Sequence, residues 1–169
     1  MIKSFSVSTL IFLATALIEA AIFSNLTFLP ANPDLSLICL LYLSINNGRL
    51  YGECAGFVSG FFLDLLSMGP FGLNTLLRTV LGYFAGLFNK VINTESIFIQ
   101  FLLGFIATLT KAFVLFILSF LYPNSVISYN PLSWLFVFEL AVNTLLTPLI
   151  FLFLNLFRKV LLLKPETVI

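Results

Sequence analysis

The sequence predicts an all-α polytopic membrane protein, with six transmembrane helices and the N- and C-termini both cytoplasmic. Three observations carry this prediction. Of the 169 residues, 60% are hydrophobic and 9% charged, whereas a soluble domain carries about 25% charged residues. The polar groups cannot cover a surface facing water, so the bilayer must be the solvent. Apolar runs near the roughly 20 residues that a spanning helix needs follow one another along the chain, separated by short turns. Lys and Arg fall in alternate loops, as the positive-inside rule requires of a chain that crosses back and forth.

The first run covers residues 5–29, after Lys3. No small-residue cleavage site follows it, so it reads as a retained span and not a removed signal peptide. Asn32-Pro33-Asp34 reads as a helix start, with Asn32 as cap, Pro33 in the first turn and Asp34 at the positive dipole end. The helix it opens, 33–45, is short for a span. Residues 46–49 form a turn, 50–67 the third span, and Met68-Gly69-Pro70 a break before the fourth, 71–89. Asn93-Thr94 caps a fifth span over 95–121; after a polar loop at 123–128, Asn130-Pro131 repeats the cap-plus-proline start of a sixth, 131–157. The whole chain, 1–169, is one integral membrane domain. Six crossings put Lys3, Arg49, Lys90, Arg158, Lys159 and Lys164 on one side, and the loops around 25–32, 67–70 and 123–130 hold no Lys or Arg.

Within residues 48–86 the small residues are ordered. Gly52, Gly56 and Gly60 lie four apart and stack along one side of a helix, with Asp64 one turn further on. Such a row lets another helix backbone approach closely, either within the bundle or from a partner. Gly72, Gly82 and Gly86 extend this set of helix-packing or partner-contact positions into the next helix.

The charges inside the spans are the other informative group. Glu19, Asp64, Arg78, Lys111 and Glu139 occupy the middle and outer half of their helices. A charge at the bilayer centre costs about 2.5–3.5 kcal/mol on the mildest scale, so these side chains should face the bundle and pair. With Asn143 they form a predicted buried polar network, read either as an outward polar pocket or as ion pairs that set helix register. Glu53 and Glu95 differ: they stand in first turns, where the helix dipole favours solvated acids. Pro148 frees a carbonyl near Thr144, with Asn143, Thr144 and Thr147 close enough to satisfy the freed groups. The lone Trp134 suits an interfacial anchor.

Catalysis finds no support in these residues. The chain has no His, the commonest general base, and no cluster has metal-ligand spacing. Gly56-Phe57-Val58-Ser59-Gly60 faintly resembles an intramembrane serine protease motif, with one residue too many and no base for Ser59. Cys39 and Cys54 are expected to be buried as small hydrophobes. A net charge of +1 argues against a nucleic-acid partner, and no cofactor or metal is implied.

Pro33-Asp34 opening a short second span, the glycine row 52–60, Asp64, and Gly69-Pro70-Phe71-Gly72, extended by Gly82-Tyr83 and Gly86, together resemble the rod shape-determining MreD family over residues 33–86. The length and the six-span hydropathy agree. The resemblance implies a multi-pass protein of the bacterial inner membrane that carries no chemistry. It would be a subunit of the cell-elongation complex, with the bitopic scaffold MreC, the filament MreB, and the glycosyltransferase RodA with its transpeptidase, and would help place side-wall peptidoglycan synthesis. A second reading is the substrate-binding S-component of an energy-coupling-factor vitamin transporter. In such proteins an Ala-x-x-x-Ala surface on the first helix meets the coupling protein, and Ala16 and Ala20 have that spacing here.

Overall fold

The computed structural model describes residues 2–21, 30–67, 69–121 and 133–163. The described residues form seven helices and no strand: α1 (Ile2–Ala21), α2 (Leu35–Asn47), α3 (Arg49–Leu66), α4 (Leu73–Leu87), α5 (Ile97–Leu121), α6 (Trp134–Leu156) and the single turn α7 (Arg158–Leu161). Segments of α1, α5 and α6 are long and apolar enough to cross a membrane, over Lys3–Ala21, Ile97–Phe120 and Trp134–Leu156.

The bundle is built around α2. Its sequence, LSLICLLYLSINN, is apolar on every side, and 11 of its 13 residues are buried. A helix hydrophobic all round belongs inside a larger assembly, and α2 packs against α1, α3, α4, α5 and α6. Thirteen residues rise about 20 Å, short of the roughly 30 Å hydrocarbon core. Length and burial together make α2 a core helix wrapped by its neighbours.

Polar contacts tie the two ends of the bundle differently. At one end, Ser4 donates to the Leu161 carbonyl at 2.5 Å, and Asn47 both donates to that carbonyl (3.2 Å) and accepts from the Leu163 N–H (2.7 Å). Tyr51 lies 2.6 Å from the Ser8 hydroxyl, Asn89 donates to the Ile45 carbonyl at 2.6 Å, and Arg158 pairs with Glu95 at 3.2 Å. The opposite end gathers residues from the end of α1, the start of α2, the end of α3, the start of α4, the second half of α5 and the first half of α6. Helices α1 to α6 therefore alternate in direction.

Several predicted boundaries and caps shift. Asn32 is not the cap of α2: Asp34 is, its carboxylate accepting the Leu37 N–H at 3.0 Å, which leaves Pro33 outside the helix. The four-residue turn at 46–49 contracts to Gly48, whose φ of +96° reverses the chain at once. Asn93 does not start α5; its side chain accepts the Glu95 N–H at 2.9 Å in a local turn, and the helix begins at Ile97. Glu95 is thus not a first-turn acid but a partner of Arg158. The cap of α6 is Ser133, which accepts from Phe136 N–H at 3.2 Å. The Asn130-Pro131 start, the 123–128 loop, Met68, the end of the first run and Lys164 lie outside the described residues. Around Pro148, Thr147 bonds the Asn143 carbonyl (2.7 Å) and Thr144 the Leu140 carbonyl (2.6 Å). Cys39 is buried, but Cys54 is exposed, because it stands off the buried Gly52–Gly56–Gly60 side of α3.

Candidate functional site

The glycine row is filled from within the molecule. A Cβ placed on Gly52 would collide with the Gly82 carbonyl oxygen, on Gly56 with that of Arg78, and on Gly60 with that of Asn74. All three partners belong to α4, so backbone lies on backbone along the α3–α4 seam. Gly82 faces Gly52 in return, and a Cβ on Gly86 would come within 2.5 Å of Arg49 Cα. Gly72 is not part of this seam. Nothing lies within 4 Å of a Cβ built there, and its φ is +95°; it serves the left-handed entry to α4, a conformation that glycine adopts without a Cβ penalty.

Asp64 closes the same hairpin. Its carboxylate accepts the backbone N–H groups of Gly72 (3.0 Å), Asn74 (3.0 Å) and Thr75 (2.9 Å), the Asn74 amide (3.0 Å) and the Thr75 hydroxyl (2.5 Å). The first N–H groups of a helix have no intrahelical acceptor, and here the preceding helix supplies one. Asp64 does not pair with Arg78, because it is occupied by this turn.

Arg78 pairs instead with Asp34, a residue that composition and spacing assigned only to a helix start. Arg78 Nη1 also donates to Ser36 (2.7 Å) and Ser59 (3.0 Å). The second Asp34 oxygen takes Lys111 Nζ at 2.7 Å, and Lys111 reaches Glu139 at the same distance. Asn143 accepts the Asp34 N–H at 2.9 Å and donates to Thr108 at 3.3 Å. Glu19 accepts the Ser36 N–H at 2.7 Å, with the Ser36 hydroxyl 3.4 Å away. Glu19, Arg78, Lys111, Glu139 and Asn143 therefore meet around Asp34, while Asp64 stands apart in its own turn.

Asp34, Ser36, Ser59 and Thr108 were missed as members. One signal was legible for Asp34: it opens a helix too short and too apolar to end at the headgroups, so its charge must be met inside. No buried side-chain nitrogen or oxygen among the described residues lacks a hydrogen-bond partner. The cluster forms one wall of a cleft of about 520 Å³. Ser59 is buried with its oxygen held by Arg78, which suits a structural acceptor and not a nucleophile. No group of three or more His, Cys, Asp or Glu among the described residues could hold a metal ion. Ala16 is fully buried and Ala20 lines the cleft, so this pair does not form an exposed surface on α1.

Residues 1–157 match the family model for rod shape-determining protein MreD. No curated protein and no solved structure matches the chain. The chain belongs to the MreD family, a family of membrane proteins with a role in rod-shape determination.

Proposed function

From this membership we infer that the chain is a non-enzymatic, multi-pass subunit of the bacterial inner membrane, within the cell-elongation complex. It binds an MreC-like bitopic scaffold and helps position side-wall peptidoglycan synthesis, with MreB, RodA and its transpeptidase in the wider assembly. The observation that carries the reading is the self-contained polar core. Each cation of the cluster is held by carboxylates and hydroxyls of the same chain, so the buried charges hold a shape and leave no activated nucleophile. Because α4 fills the glycine row, the scaffold's helix must meet the bundle on its outer faces. There α3, the turn that follows it and α4 expose Phe57, Phe61, Phe71 and Leu76.

The alternation of helix directions supports six crossings, with the short α2 counted among them. Lys3, Arg49, Lys90, Arg158 and Lys159 then share the end opposite the charged cluster, and the positive-inside rule makes that end cytoplasmic.

Co-purification of the tagged protein from its native membrane in mild detergent tests this reading. The expected result is recovery of a single-span periplasmic scaffold together with wall-synthesis enzymes, identified by mass spectrometry. Recovery of paired ATPases, a coupling membrane protein and a retained vitamin would overturn it in favour of a transporter subunit.

A further inference from the structure

The cleft beside the charged cluster has the size of a small-molecule site, for which about 300–1,000 Å³ is usual. Its walls divide. Glu19, Asn32 and Asn74 contribute polar groups beside Asp34, Arg78 and Lys111, and Leu63 and Leu66 contribute an apolar side.

Two carboxylates, Glu19 and Asp34, and two cations, Arg78 and Lys111, line it. The two cations are already committed: Arg78 to Asp34, Ser36 and Ser59, and Lys111 to Asp34 and Glu139. An anionic guest would have to break these pairs. Glu19 is different. Among the described residues its hydrogen-bond donors are the N–H and hydroxyl of Ser36, both uncharged. A carboxylate in the membrane without a cation of its own is costly, and a guest cation at Glu19 would relieve that cost.

The other acceptors in the wall suit a particular cation. Asn74 gives its amide nitrogen to Asp64, which leaves its amide oxygen as an acceptor, and Asn32 brings a second amide. A primary ammonium has three N–H donors and no acceptor, matching one carboxylate and two amide oxygens. We propose that this cleft binds a primary ammonium group through Glu19, with the attached short hydrocarbon against Leu63 and Leu66. The ammonium can be carried by a free small amine or by an ethanolamine lipid headgroup.

The full chain, purified in detergent or in phosphatidylcholine nanodiscs, tests the proposal with three probes. Ethanolamine is expected to raise the melting temperature while choline at equal ionic strength does not, because a quaternary ammonium cannot donate. Retention of one phosphatidylethanolamine over phosphatidylcholine in native mass spectrometry assigns the group to lipid. A response to ethanolamine without that retention assigns it to a free amine. Glu19→Gln should weaken binding on the order of ten-fold or more. Equal effects of choline and ethanolamine, unchanged binding in Glu19→Gln, or no binding of any probe would overturn the site. Should Glu19→Gln fail to fold, Leu66→Trp decides: it narrows the cleft from an exposed apolar position and leaves the polar groups in place. Unchanged binding in that variant would also overturn the proposal.

Discussion

Where α3 meets α4, backbone touches backbone; where α5 meets α6, side chains make the joint. The first hairpin uses Gly52, Gly56 and Gly60 against the carbonyls of α4, then locks its turn with Asp64. The second is joined by Lys111 to Glu139 and Thr108 to Asn143, with one tight point where Gly104 admits the Thr147 side chain. The difference follows from length and surroundings. Helices α5 and α6, of 25 and 23 residues, have long apolar flanks for lipid and need few specific contacts to stay in place. Helices α3 and α4, of 18 and 15 residues, pack on the largely buried α2. In lipid no hydrophobic drive holds helices together, so close packing must supply the association. A backbone seam also cannot rearrange by changing rotamers, whereas a polar side-chain joint can. The first hairpin should therefore be brittle and the second graded in its response to mutation.

The hardest blow to the seam is Gly56→Leu. The added side chain meets the Arg78 carbonyl and the Thr79 Cα, 2.9 Å from the position of Cβ. The cost should exceed the ~1–3 kcal/mol of ordinary overpacking, and no monodisperse protein is expected after membrane extraction. A wild-type melting temperature would show that the seam yields after all.

Arg78→Ala strikes the cluster. It leaves Asp34 with Lys111 as its remaining cation, and removing one partner of a buried pair typically costs about 3–5 kcal/mol. Unfolding in denaturant would measure it. In double-mutant cycles, Asp34 and Arg78 should couple strongly, whereas Asp64 and Arg78 should add within roughly 0.5 kcal/mol. Strong coupling of the second pair would merge two regions that the structure keeps apart.

Asp64→Ala removes the acceptor at the start of α4 and should cost about 2 kcal/mol. Hydrogen exchange should quicken at Gly72, Asn74 and Thr75 and stay unchanged in α5 and α6. A uniform increase would mean that the hairpin turn is coupled to the whole bundle.

The smallest stability effect is expected at Gly72→Ala. Space is free there, and the cost is the left-handed backbone, about 1 kcal/mol. A collapse as large as that of Gly56→Leu would erase the distinction between strain and collision.

Much of this is legible in the amino-acid sequence. Glycines four apart must line one side of a helix, so a close backbone approach at 52–60 could be read from spacing alone. Charges at Glu19, Arg78, Lys111 and Glu139 had to turn inward, because the lipid side offers them nothing. The roles of Asp34 and Gly72 were not legible. An Asp before an apolar run reads as a dipole cap whether or not a guanidinium from another helix stands above it. A glycine two residues after a proline reads as packing or as turn with equal ease. Cys54 was misjudged for a related reason: in a chain this apolar, hydrophobicity marks the lipid side as readily as the core.

Composition and periodicity by themselves determined that the chain lives in a membrane as helices, and which residues could not face lipid. These are local properties, set by transfer energies and by the 3.6-residue turn. The tertiary structure alone decided the pairings: α4 on the glycine row, Arg78 and Lys111 on Asp34, and Asp64 on its own hairpin turn. Pairing depends on how each helix is rotated and which neighbour it meets. Those are properties of the assembled bundle, decided by how the short central helix α2 draws the others around it.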